Sequence, residues 1–270
     1  MQIDGKNILI TGASSGIGRA LAQEFAARGT RLAIASRTLA KLETVAQEVV
    51  KSGGVKPLVF QADLSQPGEA TRLGQRVLEQ LGHIDILVNC AGINVYASQI
   101  VGGDSPIPRE MFELNYWSPL ALTKAIAPQM AGGGTIVNIS SVAALTPMAL
   151  CGHYAASKAA LLAATETLRM ELRGSGISVL LVLPGPVRTP GLKDVDRLPG
   201  GKAAFKGAPV VEAKALASKI VQAIVHDKET LVYPRLMQFN RLFPALAMKF
   251  ARHMSRAIDV TSSIIYKGGA

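Results

Sequence analysis

The chain has 270 residues, 49% apolar, 18% charged and 5% aromatic, with a formal net charge of +10. That is enough for one large α/β domain with a well-buried core, and too apolar for a disordered chain. No run of about 18 apolar residues could cross a bilayer, and the basic residues lack interleaved aromatics, which argues against nucleic acid and for anionic small molecules or surfaces as partners.

Apolar runs rich in Val, Ile and Leu alternate with segments of helical period, the pattern of strands covered on both faces. The first strand, 7–11, enters the turn Thr11-Gly-Ala-Ser-Ser-Gly-Ile-Gly18, which opens a helix over 17–28. Gly12, Gly16 and Gly18 allow close approach of backbone to a ligand. The helix start at Gly16-Ile17 offers N–H groups and a positive dipole end to a diphosphate, and Ser14 and Ser15 add hydroxyl donors. The spacing is GxxxGxG, not GxGxxG. The second strand, 31–35, leads to Ser36-Arg37. An acid there would take a ribose 2′-hydroxyl; Arg37 instead suits a 2′-phosphate through paired charge-assisted hydrogen bonds, and predicts NADP(H) in preference to NAD(H).

Further strands are expected over 56–61, 84–89, 134–140, 178–183 and 230–233, and helices over 38–51, 67–81, about 107–130, 153–173 and 211–226. The alternation predicts a single doubly wound α/β domain over 1–234, its parallel strands joined by right-handed crossovers. Residues 185–209, with their Gly, Pro and Lys, are expected to form a cover over the site. Residues 235–270 form a basic C-terminal extension. Within it Leu236, Phe239, Phe243, Leu246, Phe250, Met254 and Ile258 describe one helical face, which Pro244 should break into two pieces. This stripe is expected to pack on the protein's own core or a neighbouring subunit; Arg235, Arg241, Lys249, Arg252 and Arg256 make an anionic membrane surface the rival partner.

Tyr154 and Lys158 stand four apart at the head of the 153–173 helix, and so on one face. A phenol beside an ammonium is an acid–base device, and the cation should draw the Tyr154 pKa down from about 10. Ser141 lies at the end of an apolar strand, thirteen residues upstream, with Ser140 as its rival. His153 points roughly 100° away from Tyr154 and reads as wall or surface. Met148, Ala149 and Leu150, with Tyr96, Trp117 and Leu192, are expected to line the substrate side, which leans towards an apolar substrate. Cys90 and Cys151 read as inert small residues with no adjacent basic partner. They form no disulfide framework and the N-terminus lacks a signal-peptide layout, so a reducing, cytoplasmic setting is expected.

With Asp63-Leu64, Asn89-Cys-Ala-Gly92, Asn115 and Pro184-Gly185 added to these motifs, in this order, the chain resembles the short-chain dehydrogenase/reductases over roughly residues 5–234. The resemblance implies a Rossmann-type, seven-stranded parallel sheet flanked by helices, a homodimer or homotetramer without metal, and NAD(P)-dependent exchange between a small-molecule carbonyl and its alcohol. By it, Asp63 and Leu64 meet the adenine, Asn89 supports the adenosine pocket beside Ala91 and Gly92, Pro184, Gly185 and Val187 lie by the nicotinamide, and Thr189 holds its carboxamide. Tyr154 exchanges the proton, Lys158 lowers its pKa and bonds the nicotinamide ribose, Ser141 steadies the developing alkoxide, and Asn115 holds a water that relays protons to Lys158. The family usually has Asn where this chain has Cys90. Two other readings are a membrane-surface lipid or steroid ketone reductase and a non-catalytic cofactor-binding regulator. The mark of a regulator would be loss of Tyr, Lys or Ser, and all three are present.

Overall fold

The structure is a computed structural model that describes residues 2–99, 105–130, 132–192, 208–258, 260 and 266–267. Seven strands form its centre: β1 (Asn7–Thr11), β2 (Arg31–Ser36), β3 (Leu58–Gln61), β4 (Ile86–Asn89), β6 (Gly134–Ile139), β7 (Ile177–Pro184) and β10 (Thr230–Tyr233). They are parallel, in the order β10-β7-β6-β4-β1-β2-β3. Every residue of β1, β4 and β6 is buried, because helices cover both faces of the sheet. One face packs on α1 (Gly16–Ala26) and α2 (Leu39–Lys51), around Ile8, Phe25 and Leu42; the other packs on α3 (Glu69–Leu81) and the 107–126 helices, around Leu9, Leu73 and Leu87. The chain order reverses between β1 and β4, and in open sheets of this type the ligand crevice lies beyond the carboxyl ends of the strands at that reversal.

All seven expected strands are present, with ends moved by at most two residues. Four two-residue strands, β5 (Val95–Tyr96), β8 (Val187–Arg188), β9 (Val211–Glu212) and β11 (Tyr266–Lys267), are too short to show a period in sequence. The expected 107–130 helix is interrupted: α4 (Ile107–Phe112) passes through a π-helical segment (Glu113–Trp117) into α5 (Ser118–Ile126). The expected cover is described only at its ends. There β8 pairs with β9 and Arg188 meets Glu212 at 2.6 Å, while residues 193–207 lie outside the described residues.

After α7 (Ala213–Val225) and β10, the chain makes a short 3₁₀ turn (Arg235–Met237), then α8 (Gln238–Leu242) and α9 (Pro244–Ser255). Pro244 opens α9, and Phe243 at φ −129°, ψ 61° makes the break, because proline cannot continue a helix across its own nitrogen. Within the chain, the apolar stripe does not pack on the protein's own core as one face. α9 turns its small residues Ala247 and Ala251 inward, Ile258 follows, and Leu236, Phe243, Leu246 and Phe250 stay exposed. Close approach of a helix favours alanines over bulky side chains at the contact. Among the described residues, no helix is long and apolar enough to cross a membrane.

A buried polar seam ties the layers together. Asn89 donates to Asn138 Oδ1 at 2.8 Å, Asn138 donates to Thr165 Oγ1 at 3.0 Å, and Thr165 donates to the Leu161 carbonyl at 2.6 Å. It thus links β4, β6 and the helix α6 (Gly152–Glu171). Removing the middle member leaves buried polar groups unpaired, so Asn138→Ala should lower unfolding free energy by about 2–4 kcal/mol. Urea titration at unchanged m-value measures this; a loss under about 0.5 kcal/mol would show that the seam contributes little.

Candidate active site

The crevice forms because β1 and β4 end together. Thr11 Oγ1 accepts hydrogen bonds from the N–H groups of Cys90 (3.0 Å) and Ala91 (3.1 Å) and donates to the Val88 carbonyl at 3.3 Å. Gly12 follows at φ +68°, and a Cβ there would stand 2.8 Å from Ala91 Cα. A Cβ on Gly18 would stand 2.4 Å from the Gly12 carbonyl oxygen. Both positions therefore require glycine, which lets the turn fold back against the start of α1. The N-cap residue Ser15 makes no side-chain cap bond, and the first turn of α1 holds no acid, so the helix presents its positive end to the cavity.

That cavity, of about 740 Å³, extends from Arg37, Ala62 and Leu64, past Gly12, Ser14, Ser15, Gly16, Ile17 and Gly18, to Tyr154 and Lys158. Ala91, Gly92, Ser141, Pro184, Gly185, Val187 and Thr189 also line it. Thr189 faces the glycine turn: a Cβ on Gly16 would lie 3.0 Å from Thr189 Cγ2. Asp63 and Asn89, expected at the adenosine end, do not line the cavity. Asp63 Oδ1 is taken by the N–H (3.1 Å) and hydroxyl (2.7 Å) of Ser65, and Asn89 belongs to the buried seam.

At the far end, Ser141 and Tyr154 share a side-chain hydrogen bond. Ser141 caps the 3₁₀ turn Val142–Ala144, its Oγ accepting from the Ala143 N–H at 3.1 Å, while Ser140 turns away and donates to the Lys158 carbonyl at 2.8 Å. The two adjacent serines are thereby distinguished: Ser141 lies by the phenol, and Ser140 braces α6. Lys158 Nζ donates to the Ile139 carbonyl at 2.8 Å. Asn115, fully buried in the π-helical segment, exchanges hydrogen bonds with the Ile93 backbone (3.0 and 2.9 Å) and donates to Ser157 at 3.0 Å. Asn115 does not line the cavity, but a Cβ on Gly92 would meet both Asn115 Oδ1 (3.0 Å) and Lys158 Nζ (3.2 Å).

The electrostatics differ from the expectation in one respect. The Tyr154 pKa is not drawn down; burial around its hydroxyl pushes it up to about 12, against a smaller downward pull from the Ser141 hydrogen bond. Burial acts on Lys158 as well, bringing the amine down to about 8. Desolvation disfavours a phenolate and an ammonium alike, and it is the largest influence on both groups. Burial likewise holds the thiols of Cys90 and Cys151 up at about 12, as protonated, unreactive groups.

The substrate side is only partly as expected. Met148, Tyr96 and Leu192 line the cavity; Ala149 and Leu150 do not, and Trp117 is 54% exposed and stacks edge-on against Tyr116 at 4.6 Å. The wall that sequence reasoning missed comes from the C-terminal extension, whose Met237, Phe239, Asn240, Phe250 and Met254 line the same cavity. A direct tie holds it there, as the Ala149 N–H donates to Ser255 Oγ at 3.1 Å. The stripe over 235–258 shows that this segment needs an apolar partner but not which one.

A family model for short chain dehydrogenases matches residues 6–198. The chain is 38% identical over 194 residues to a zebrafish (Danio rerio) protein named dehydrogenase/reductase SDR family member 7B, covering 69% of this chain and 62% of that one, so it spans about three-fifths of that relative's length. Among solved structures, a short-chain dehydrogenase/reductase from Burkholderia phymatum in complex with NAD superimposes with a TM-score of 0.81 at 25% identity, covering 93% of this chain and 97% of that one. L-sorbose reductase from Gluconobacter frateurii, complexed with NADPH and L-sorbose, has a TM-score of 0.77 at 27% identity, covering 86% and 96%. The sheet order, the glycine turn at the crevice and the Ser141–Tyr154–Lys158 cluster agree with these matches: the chain belongs to the short-chain dehydrogenase/reductase family.

Proposed function

We propose that the protein is an oxidoreductase that exchanges hydride between NADP(H) and a small carbonyl or alcohol that is apolar near the reacting carbon. The observation that carries this reading is one continuous cavity joining the glycine turn to the hydrogen-bonded Ser141–Tyr154 pair and Lys158. The residues fit a nicotinamide dinucleotide. Gly12, Gly16 and Gly18 line the cavity in a turn kept compact because Gly12 and Gly18 carry no side chain, the α1 terminus receives the diphosphate, and Arg37 at the cavity's other end receives a 2′-phosphate. When bound, the cofactor supplies or accepts the hydride. Lys158 would bond its nicotinamide ribose, and Thr189 its carboxamide. Tyr154, protonated at neutral pH, donates its proton to the carbonyl oxygen, and Ser141 donates a hydrogen bond to the charge developing there. Asn115 is a positioning residue that holds the Ile93 backbone and Ser157 beside Lys158. In this reading its place by Gly92 and Lys158 also supports the water relay. The Met148, Phe239, Phe250 and Met254 wall favours an apolar substrate. Association into a homodimer or homotetramer belongs to the same reading, supported by the exposed large side chains Trp117 and Met170.

Tyr154→Phe keeps the ring and removes the transferable proton. Turnover should fall about 10²–10⁴-fold with NADPH affinity unchanged; steady-state kinetics and fluorescence titration measure the two effects, and full turnover would remove Tyr154 from the mechanism.

The wild type should use NADPH in preference to NADH, and Arg37→Ala should erode that preference by roughly 10–100-fold in kcat/KM, the worth of a charge-assisted pair. Equal use of both cofactors by the wild type would contradict the assignment.

Lys158 is a cation below about pH 8 and neutral above it. Affinity for the anionic NADPH should therefore weaken as pH rises through about 8 in the wild type, and this limb should vanish in Lys158→Met. A pH series of dissociation constants tests this, and a wild-type profile that stays flat through pH 8 would refute it.

A further inference from the structure

Among the described residues, fourteen large hydrophobics are exposed, and six of them fall between residues 236 and 250, so the C-terminal extension concentrates what elsewhere is scattered. Leu236 is 71% exposed, Leu242 66% and Phe250 64%, and Phe239 stacks on Phe243 at 5.4 Å. Leu246 and Phe250, one helical turn apart, share a face of α9. An apolar patch of this kind marks an interaction surface. The charge around it is of one sign: Arg235, Arg241, Lys249, Arg252 and Arg256 are exposed, and residues 235–258 include no Asp or Glu. The patch also continues into the molecule, because Leu236, Phe239 and Phe250 line the cavity that contains Tyr154.

We propose that this face docks on an anionic phospholipid surface, with Leu242, Phe243 and Leu246 entering the headgroup boundary and the five cations meeting the headgroups. The geometry suits lying on a bilayer rather than crossing it, since α9 has twelve residues and an inward face already packed on the protein. A second copy of the chain is the poorer occupant. In a two-fold contact the same patch faces itself, and five cations would meet five cations with no acid on the segment to offset them. A second consequence, which rests on the oxidoreductase reading, is that the cavity opens at the lipid interface, so that its substrate is an apolar carbonyl or alcohol dissolved in the membrane.

The test uses the full chain, sedimented with vesicles of phosphatidylcholine alone or of phosphatidylcholine with phosphatidylserine, at low and high salt. The proposal predicts binding to the anionic vesicles, lost at high salt and weak on phosphatidylcholine alone. Lys249→Gln with Arg256→Gln should reduce it about 30-fold, or about fivefold for each cation. Leu242→Ser with Leu246→Ser should abolish it. None of these four residues lines the cavity, so each variant should keep wild-type turnover of a water-soluble carbonyl. Absent binding, binding indifferent to salt and to these substitutions, or a wild-type dimer dispersed by Leu242→Ser with Leu246→Ser would overturn the docking. A protein that binds vesicles but reduces no carbonyl would leave the docking standing and refute the oxidoreductase reading. Equal rates for an apolar ketone supplied in anionic vesicles and in detergent-free water would refute entry from the lipid.

Discussion

The site depends on a small tie, the Thr11 hydroxyl bound to the N–H groups of Cys90 and Ala91. It holds the ends of β1 and β4 in register at the point where the chain order of the sheet reverses. The glycine turn on one side and Gly92 on the other are placed relative to that junction. Gly12 can pack on Ala91 only without a side chain, and the compact turn then aims α1 at the crevice. On the other side, β4 continues into Gly92, which leaves just enough space for Asn115 and Lys158 to converge. A backbone arranged this way binds an anion without a dedicated cation in the turn, because the helix terminus provides the positive charge.

Burial sets the chemistry at the other end. Sequence spacing places Tyr154 and Lys158 one helical turn apart, and from that spacing alone attraction should dominate. The structure surrounds both groups with protein, and desolvation then moves the phenol up and the amine down. In this state the site contains a neutral acid next to a lysine whose charge is weakly held. Under the proposed function, a bound anionic cofactor would favour the ammonium, and the ammonium in turn the phenolate, so the acid–base pair would be coupled to what occupies the crevice.

Much of this was legible in the sequence, for identifiable reasons. Strands buried on both faces read as runs rich in Val, Ile and Leu, so 7–11 coincides with β1 and the expected 134–140 runs one residue past β6. The glycine turn and the Tyr154–Lys158 spacing are local, and local geometry follows from periodicity. What was not legible depends on distant partners. The π-helical turn around Asn115 is stabilised by Ile93 and Ser157, far away in the chain. Asn89 donates to Asn138, 49 residues further along the chain, rather than facing the cavity. The extension's apolar positions were clear, but their division into an inward alanine face and an outward Leu/Phe face depends on how closely α9 approaches the body. No periodicity records that distance.

The central claim is that hydride passes across this cavity to a carbonyl carbon poised at Tyr154. The most direct measurement supplies the full chain with NADPH carrying deuterium at the transferable C4 position, together with a panel of carbonyl compounds, and reads the products by mass spectrometry. The account predicts one deuterium on the new carbinol carbon for each NADPH oxidised, with apolar ketones the best acceptors. Tight NADPH binding with no deuterium reaching any carbonyl carbon would contradict it.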